Sequence, residues 1–271
     1  MDVREANVVV HSRMAADYNE REPHFRPENR AAVRGRLEAL RAEFGGRLLD
    51  IGCGTGFIID LAVDLFDDIQ GVDLTPAMLA RVQPRPNVHV RQGDAANLPF
   101  EAARFDVVTG YSFFHHLRDL MPVVTEAARV LRPGGCLYAD LEPNRFFWQN
   151  IVATRDAVEA STDALAADEV ASVCDLASKV ERDYGIPAEV FDLAEYNKSI
   201  TGGIDPDEFT AIARQAGFRT VEATYEWYAG KGKILHGVSA DAAAHVDDYL
   251  RRALPLSRGL YKYLRFRAVK S

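Results

Sequence analysis

Three carboxylates, a group of alternating glycines and two adjacent histidines are the residues here whose types and spacing could do chemistry. Asp50 ends an apolar run and leads into Gly52, Gly54 and Gly56, with Cys53 and Thr55 between them. Glycine is needed where the backbone takes positive φ or touches a ligand with no Cβ in the way. Three in five residues therefore predict a backbone laid against a bound molecule. Asp73 lies 21 residues beyond Gly52 (73 − 52). In doubly wound folds an acid at about that distance ends the second strand and reaches a ribose diol, whose two hydroxyl hydrogens a carboxylate can accept. His115 and His116 titrate near neutrality in their ordinary state and suit proton transfer. The dinucleotide fingerprint fits Gly52 and Gly54 but requires glycine where Phe57 stands. The phosphate-binding P-loop requires a Gly-Lys-Ser/Thr that does not follow.

Hydrophobic periodicity assigns the elements that must hold these residues. Residues 47–66 read as strand, tight turn and helix. Residues 69–73 read as a second strand ending at Asp73. Thr75-Pro76 opens the next helix, with Thr75 as cap and proline in the first turn. Residues 87–91 form a third strand and 105–110 a fourth. Residues 123–131 form a helix stopped by Arg132-Pro133-Gly134-Gly135, and 136–141 a fifth strand. Before this core, residues 1–45 read as helical, with Val33, Leu37 and Leu40 on one stripe. Residues 144–200 break the alternation. They hold aromatics at 146–148 and a helical stripe of Val170, Val173, Leu176 and Val180. The aromatics line a pocket or fill the segment's own core. A helix from 205, a strand over 218–228, a helical segment over 240–254 and a strand over 260–269 complete the chain.

Composition limits the function classes. The 271 residues suit one large domain, or one domain with an insertion. Net charge is −8 and the sequence pI about 5.4, with no basic stripe of the kind a general nucleic-acid binder shows. Lys262, Arg265, Arg267 and Lys270 alternate with apolar residues and read as a solvated strand face. Cys53, Cys136 and Cys174 are scattered and odd in number, which fits a reducing, cytoplasmic setting and no Cys-based metal site. The first residues lack a signal-peptide core, and no run of 18 apolar residues predicts a membrane span.

Asp-x-Gly-x-Gly-x-Gly at 50–56, Asp73-Leu74-Thr75-Pro76-Ala77-Met78-Leu79 and Gly93-Asp94-Ala95 stand in order along the chain. The set resembles the class I S-adenosylmethionine-dependent methyltransferases of small-molecule type, closely over 45–142 and less so over 205–228. The resemblance implies an α/β fold: a doubly wound, seven-stranded, Rossmann-like sheet with an antiparallel last strand. It implies a core at 1–143 and 201–271 with an N-terminal helical cap, and an inserted helical lid at 144–200 after strand five. S-adenosyl-L-methionine, and S-adenosyl-L-homocysteine as product, would be held by Tyr18, Asp50, Gly52, Cys53, Gly54, Gly56, Asp73, Leu74, Met78, Asp94, Ala95 and Tyr111. Asp94 would accept the adenine amino hydrogen, with the Ala95 backbone against the ring.

After the fourth strand, Tyr111 to Leu117 carries the His-His-Leu form of small-molecule enzymes. The Asn/Asp-Pro-Pro-aromatic of enzymes acting on nucleobase amines or glutamine amides is not there. His115 and His116 would lie near the transferred methyl, as bases for an O or N acceptor that starts protonated. The Tyr18 region and the 144–200 segment would close the pocket. The implied partner is a small molecule, with no nucleic acid and no membrane; the oligomeric state is not legible. The pair lacks carboxylates at ligand spacing, Asp119 being the nearest candidate, so no metal is implied. Two other readings are a nucleic-acid methyltransferase and a protein of this fold that binds the cofactor without methyl transfer.

Overall fold

The computed structural model describes residues 1–159 and 164–271. Seven strands form one sheet: β1 Arg47–Ile51, β2 Asp68–Asp73, β3 Val88–Gln92, β4 Phe105–Tyr111, β5 Leu131–Pro143, β6 Phe218–Tyr228 and β7 Tyr261–Lys270. Their order across the sheet is 3-2-1-4-5-7-6. β1 to β5 pair in parallel, and β7 pairs antiparallel with both β5 and β6. The sheet matches the doubly wound, Rossmann-like class read from the sequence.

β4 is buried at every position and β1 at all but Arg47, because helices cover both faces of the sheet. On one face Val123, Val124 and Ala127 of helix Met121–Val130 meet Phe209 of helix Pro206–Gln215 over Leu49, Val108 and Leu137. On the other, Val33, Leu37 and Leu40 of helix Pro27–Phe44 meet Ile58 and Leu61 of helix Phe57–Ala62 over Leu48, Ile69 and Val107. The stripe read at 33, 37 and 40 is thus the buried face of its helix. Strand order reverses at β1, which lies between β2 and β4, and open α/β sheets bind ligands beyond the carboxyl ends of the strands at such a point.

Some local readings need correction. β5 begins at Leu131, not Cys136: Leu131 pairs with Phe105 and Cys136 with Val107, so residues 132–135 bulge from the ladder instead of preceding it. Thr75 does not cap with its hydroxyl; the helix it precedes is one turn, Pro76–Leu79, and Thr75 is buried. The basic residues of β7 lie at part-exposed positions of the strand, as its alternation predicts, and three of them are paired with acids. Arg265 pairs with Glu226 at 3.0 Å, Arg267 with Glu43 and Glu222, and Lys262 with Glu169.

Between β5 and helix Pro206–Gln215 lie helices Arg145–Glu159, Ala164–Cys174, Leu176–Tyr184 and Ala188–Ala194, then a π-turn at Tyr196–Ile200. Residues 160–163 of the expected lid fall outside the described residues. Phe191, Ala194 and Val180 of this segment pack on Ala6, Val10 and Met14 of helix Val3–Met14. Among the described residues no helix is long and apolar enough to cross a membrane.

Candidate functional site

A cavity of about 620 Å³ opens at the carboxyl ends of β1, β2 and β4. Its floor is the glycine turn. Gly52 and Cys53 donate their N–H groups to the Val72 carbonyl at 2.8 and 3.1 Å, which pins the turn to β2. Gly52 and Gly54 have φ of 65° and 51°. A Cβ at Gly52 would strike the Phe113 ring at 2.1 Å, whereas one at Gly54 would meet nothing within 4 Å. Gly54 therefore presents bare backbone to open space, as a ligand cradle requires. Gly56 differs: it does not line the cavity, and its φ of 91° places it at the N-cap of helix Phe57–Ala62, against Val82. Its role is the strand-to-helix bend.

Asp73 faces the cavity from the end of β2. Its Oδ2 accepts the Gly54 N–H and its Oδ1 the Thr75 N–H, both at 2.8 Å. Each oxygen keeps a further lone pair, enough for two hydroxyl donors. Asp50 is buried beneath the turn and accepts the Thr109 hydroxyl at 2.8 Å. Burial pushes its carboxyl up to about 7, with Asp73 adding repulsion against the Thr109 bond. Because the folded value is raised above 3.8, the stability Asp50 contributes is full below about pH 4 and lost as pH rises towards 7. The stability difference between Asp50→Asn and wild type should therefore shift in favour of the variant across that window. Denaturant unfolding at pH 4, 6 and 8 measures it, and a difference independent of pH would remove Asp50 as the cause.

Leu74, Met78, Asp94, Ala95, Tyr111 and Cys53 also line the cavity, so every residue read as a cofactor contact except Gly56 meets there, Tyr18 included. Asp94 Oδ1 closes a turn by accepting the Ala96 N–H at 2.9 Å, and its Oδ2 pairs with Arg4 at 3.1 Å. Tyr18 arrives on the N-terminal segment beside His24 and Phe25, and burial raises its hydroxyl well above the ordinary value. Asn19 accepts the Thr55 hydroxyl at 2.6 Å and Asn29 donates to the Tyr111 hydroxyl at 2.9 Å, which fastens this segment to turn and strand.

The two histidines part company. His116 lines the cavity; His115 does not and is 4% exposed. The expectation that both face the pocket is corrected for His115, whose ring is turned into the core by Glu142. That carboxylate, 0% exposed on β5, accepts the N–H groups of Phe113, Phe114 and His115 at 2.8, 2.9 and 3.0 Å and His115 Nδ1–H at 2.9 Å. His116 donates Nδ1–H to the Ala194 carbonyl at 2.9 Å, which leaves Nε2 as an acceptor. Burial, then His115, pushes His116 well below its ordinary value, so its ring is neutral at pH 7.

Glu195, at the end of helix Ala188–Ala194, reaches both rings. Its Oε1 is 3.4 Å from His116 Nδ1 and its Oε2 is 3.6 Å from His115 Nε2. Lys198 Nζ holds Oε2 at 2.6 Å. Burial pushes Glu195 up, but Lys198, His116 and His115 together hold it below the usual carboxylate range. Asn7 of helix Val3–Met14 donates to the Ala194 carbonyl at 3.1 Å and the His116 carbonyl at 3.4 Å. The loop after β4, the inserted segment and the N-terminal helix thus meet at one point. Glu142, Glu195, Lys198, Asn7 and Arg4 were not read as site residues. An acid inside an apolar strand, as at Leu141-Glu142-Pro143, was the one available signal that a buried partner exists. The aromatics at 146–148 do not line the cavity: Phe147 and Trp148 are buried, Trp148 meets Tyr263, and Arg258 lies over Phe146. Leu193 and Tyr196 are the inserted segment's contribution to the cavity wall.

A family model described as a methyltransferase domain matches residues 49–139. A probable S-adenosylmethionine-dependent methyltransferase of Mycolicibacterium smegmatis is 40% identical over 102 residues, covering 37% of this chain and 39% of that protein. The 27-O-demethylrifamycin SV methyltransferase of Amycolatopsis mediterranei is 40% identical over 106 residues, covering 36% of this chain and 38% of that protein. The match thus spans about two-fifths of the length of these relatives. Among solved structures, phosphoethanolamine N-methyltransferase 2 of Haemonchus contortus, in complex with S-adenosyl-L-methionine, superposes with a TM-score of 0.54 at 18% identity. That superposition covers 94% of this chain and 59% of that one, a likeness of fold.

Proposed function

We propose that this chain, a member of the class I S-adenosylmethionine-dependent methyltransferases, binds that cofactor in the cavity over β1 and β2 and transfers its methyl group to an O or N atom of a small molecule. The observation that carries the reading is one cavity lined by the glycine turn, Asp73, Asp94 and His116 together. The bare backbone at Gly54 and the two partly used oxygens of Asp73 fit an aminoacid tail and a ribose diol. S-adenosylmethionine, when bound, supplies a methyl carbon already activated by a positive sulfur.

The chain's own part is to align and to exclude water, so orientation carries much of the rate. Asp73 fixes the ribose and Asp94, on release from Arg4, the adenine. Tyr18, Leu193 and Tyr196 wall the acceptor side. His116 Nε2 takes the proton of an acceptor that arrives protonated, while His115, held by Glu142, positions the loop. The test is incubation with methyl-labelled cofactor and a panel of phenols, amines and carboxylates. Label in a small molecule supports the reading, and label only in an added RNA pool contradicts it.

Asp73→Ala is expected to weaken S-adenosyl-L-homocysteine binding at least about tenfold. A charge-assisted hydrogen bond is commonly ~1.5–3 kcal/mol, and ~1.4 kcal/mol is one decade. The loss also frees the Gly54 and Thr75 N–H groups that shape the turn. Calorimetry on the folded variant measures it; unchanged affinity would remove Asp73 from the site.

A further inference from the structure

We propose that His115, His116 and Glu195 form a binding site for a divalent transition-metal ion of the zinc type, between the loop after β4 and the inserted segment. One ligating atom from each residue lies within 4.8 Å of the other two. His115 Nε2 and Glu195 Oε2 are 3.6 Å apart. Donors about 2.0–2.1 Å from a tetrahedral ion stand roughly 3.3–3.5 Å from one another, so a small inward movement closes the set.

The outer partner makes the His115 ring a ligand. Glu142 takes the His115 Nδ1–H at 2.9 Å and leaves Nε2 towards Glu195, whereas His116 approaches Glu195 Oε1 through Nδ1 at 3.4 Å, so an ion there replaces the proton now given to the Ala194 carbonyl. Metal-binding histidines are held in this way by a carboxylate or carbonyl on the other nitrogen. His115 Nε2 therefore turns a lone pair towards a carboxylate oxygen at a separation too long for a hydrogen bond. Two acceptors facing each other in a buried site repel, and a cation between them satisfies both. Two imidazoles and one carboxylate suit zinc, cobalt or nickel, whereas magnesium and calcium take oxygen ligands. Three protein ligands leave a fourth position open, and His116 borders the cavity through which an ion would enter.

Lys198 opposes the site, since its ammonium occupies one lone pair of Glu195 Oε2. Its charge lowers the affinity, and that gives the test a second direction. An ion on His116 takes that ring out of use as a base, so the ion is read by its own binding and not through methyl transfer. The chelator-stripped full chain is titrated with Co²⁺, read by visible absorption, and with Zn²⁺, read by calorimetry. One equivalent should bind, with the absorption of four-coordinate cobalt. Glu195→Gln and His115→Ala should weaken binding at least about tenfold, and Lys198→Met should strengthen it, each variant being checked for fold by circular dichroism. S-adenosyl-L-homocysteine titrated in parallel keeps the two readings apart: its failure to bind would strike the proposed function and leave the metal result standing. No saturable ion in wild type or in Lys198→Met overturns the metal site. Binding of the ion with unchanged affinity in Glu195→Gln overturns it equally.

Discussion

Glu142→Ala is expected to cost several kcal/mol of stability. Its carboxylate is 0% exposed and accepts three consecutive backbone N–H groups and the His115 ring. Each buried donor left without an acceptor costs about 1–3 kcal/mol. Even the lower figure, over four donors, is a large share of the ~5–15 kcal/mol by which domains are stable. The loop also enters through Ser112 at φ 52°, whose N–H donates to the Asp140 carbonyl at 2.8 Å just before the three groups that Glu142 accepts. Denaturant unfolding of the variant measures the loss. A change under about 1 kcal/mol would mean that the loop finds other acceptors and that Glu142 does not organise it.

His116→Ala is expected to lower turnover by about 10²–10⁴-fold with an acceptor that must lose a proton, the range of general-base removal. Affinity for S-adenosyl-L-homocysteine should change little. The loss should shrink at high pH for a phenolic acceptor, which ionises unaided. An amine that is neutral at working pH should show little loss at any pH. His115→Ala should act differently, through loop stability, because Glu142 turns its ring from the cavity. Full activity of His116→Ala with an acceptor bound as an alcohol or phenol would exclude the ring as base and leave alignment as the whole of catalysis.

Local spacing made the glycine-turn half of the cavity legible. Asp50, Gly52 and Gly54 sit within five residues of sequence, and Asp73 is one strand–helix–strand unit away, so period and turn chemistry place them together. The half around the histidines is built from long-range contacts that carry no such pattern. Glu142 reaches His115 across 27 positions, and the Ala194 carbonyl reaches His116 across 78. The absence of a carboxylate at ligand spacing around the histidines was a true statement about sequence, yet Glu195 comes to them through the fold, and Asp119 is not the acid that does. Aromatic content at 146–148 left a pocket and a small core equally open, because periodicity marks an apolar face without saying what covers it; Phe147 and Trp148 are buried, and Trp148 meets Tyr263 of β7. The basic alternation on β7 marked its part-exposed face but not the acids that pair with it, such as Glu226, which come from elsewhere in the chain.

Binding of S-adenosylmethionine in this cavity can be measured directly. Calorimetric titration of the purified full chain with S-adenosyl-L-methionine, S-adenosyl-L-homocysteine and NADH tests it most directly. Saturable binding of both sulfur ligands is expected, one per chain and weakened in Asp73→Ala, with no binding of NADH. Saturable binding of NADH with neither sulfur ligand bound would contradict it.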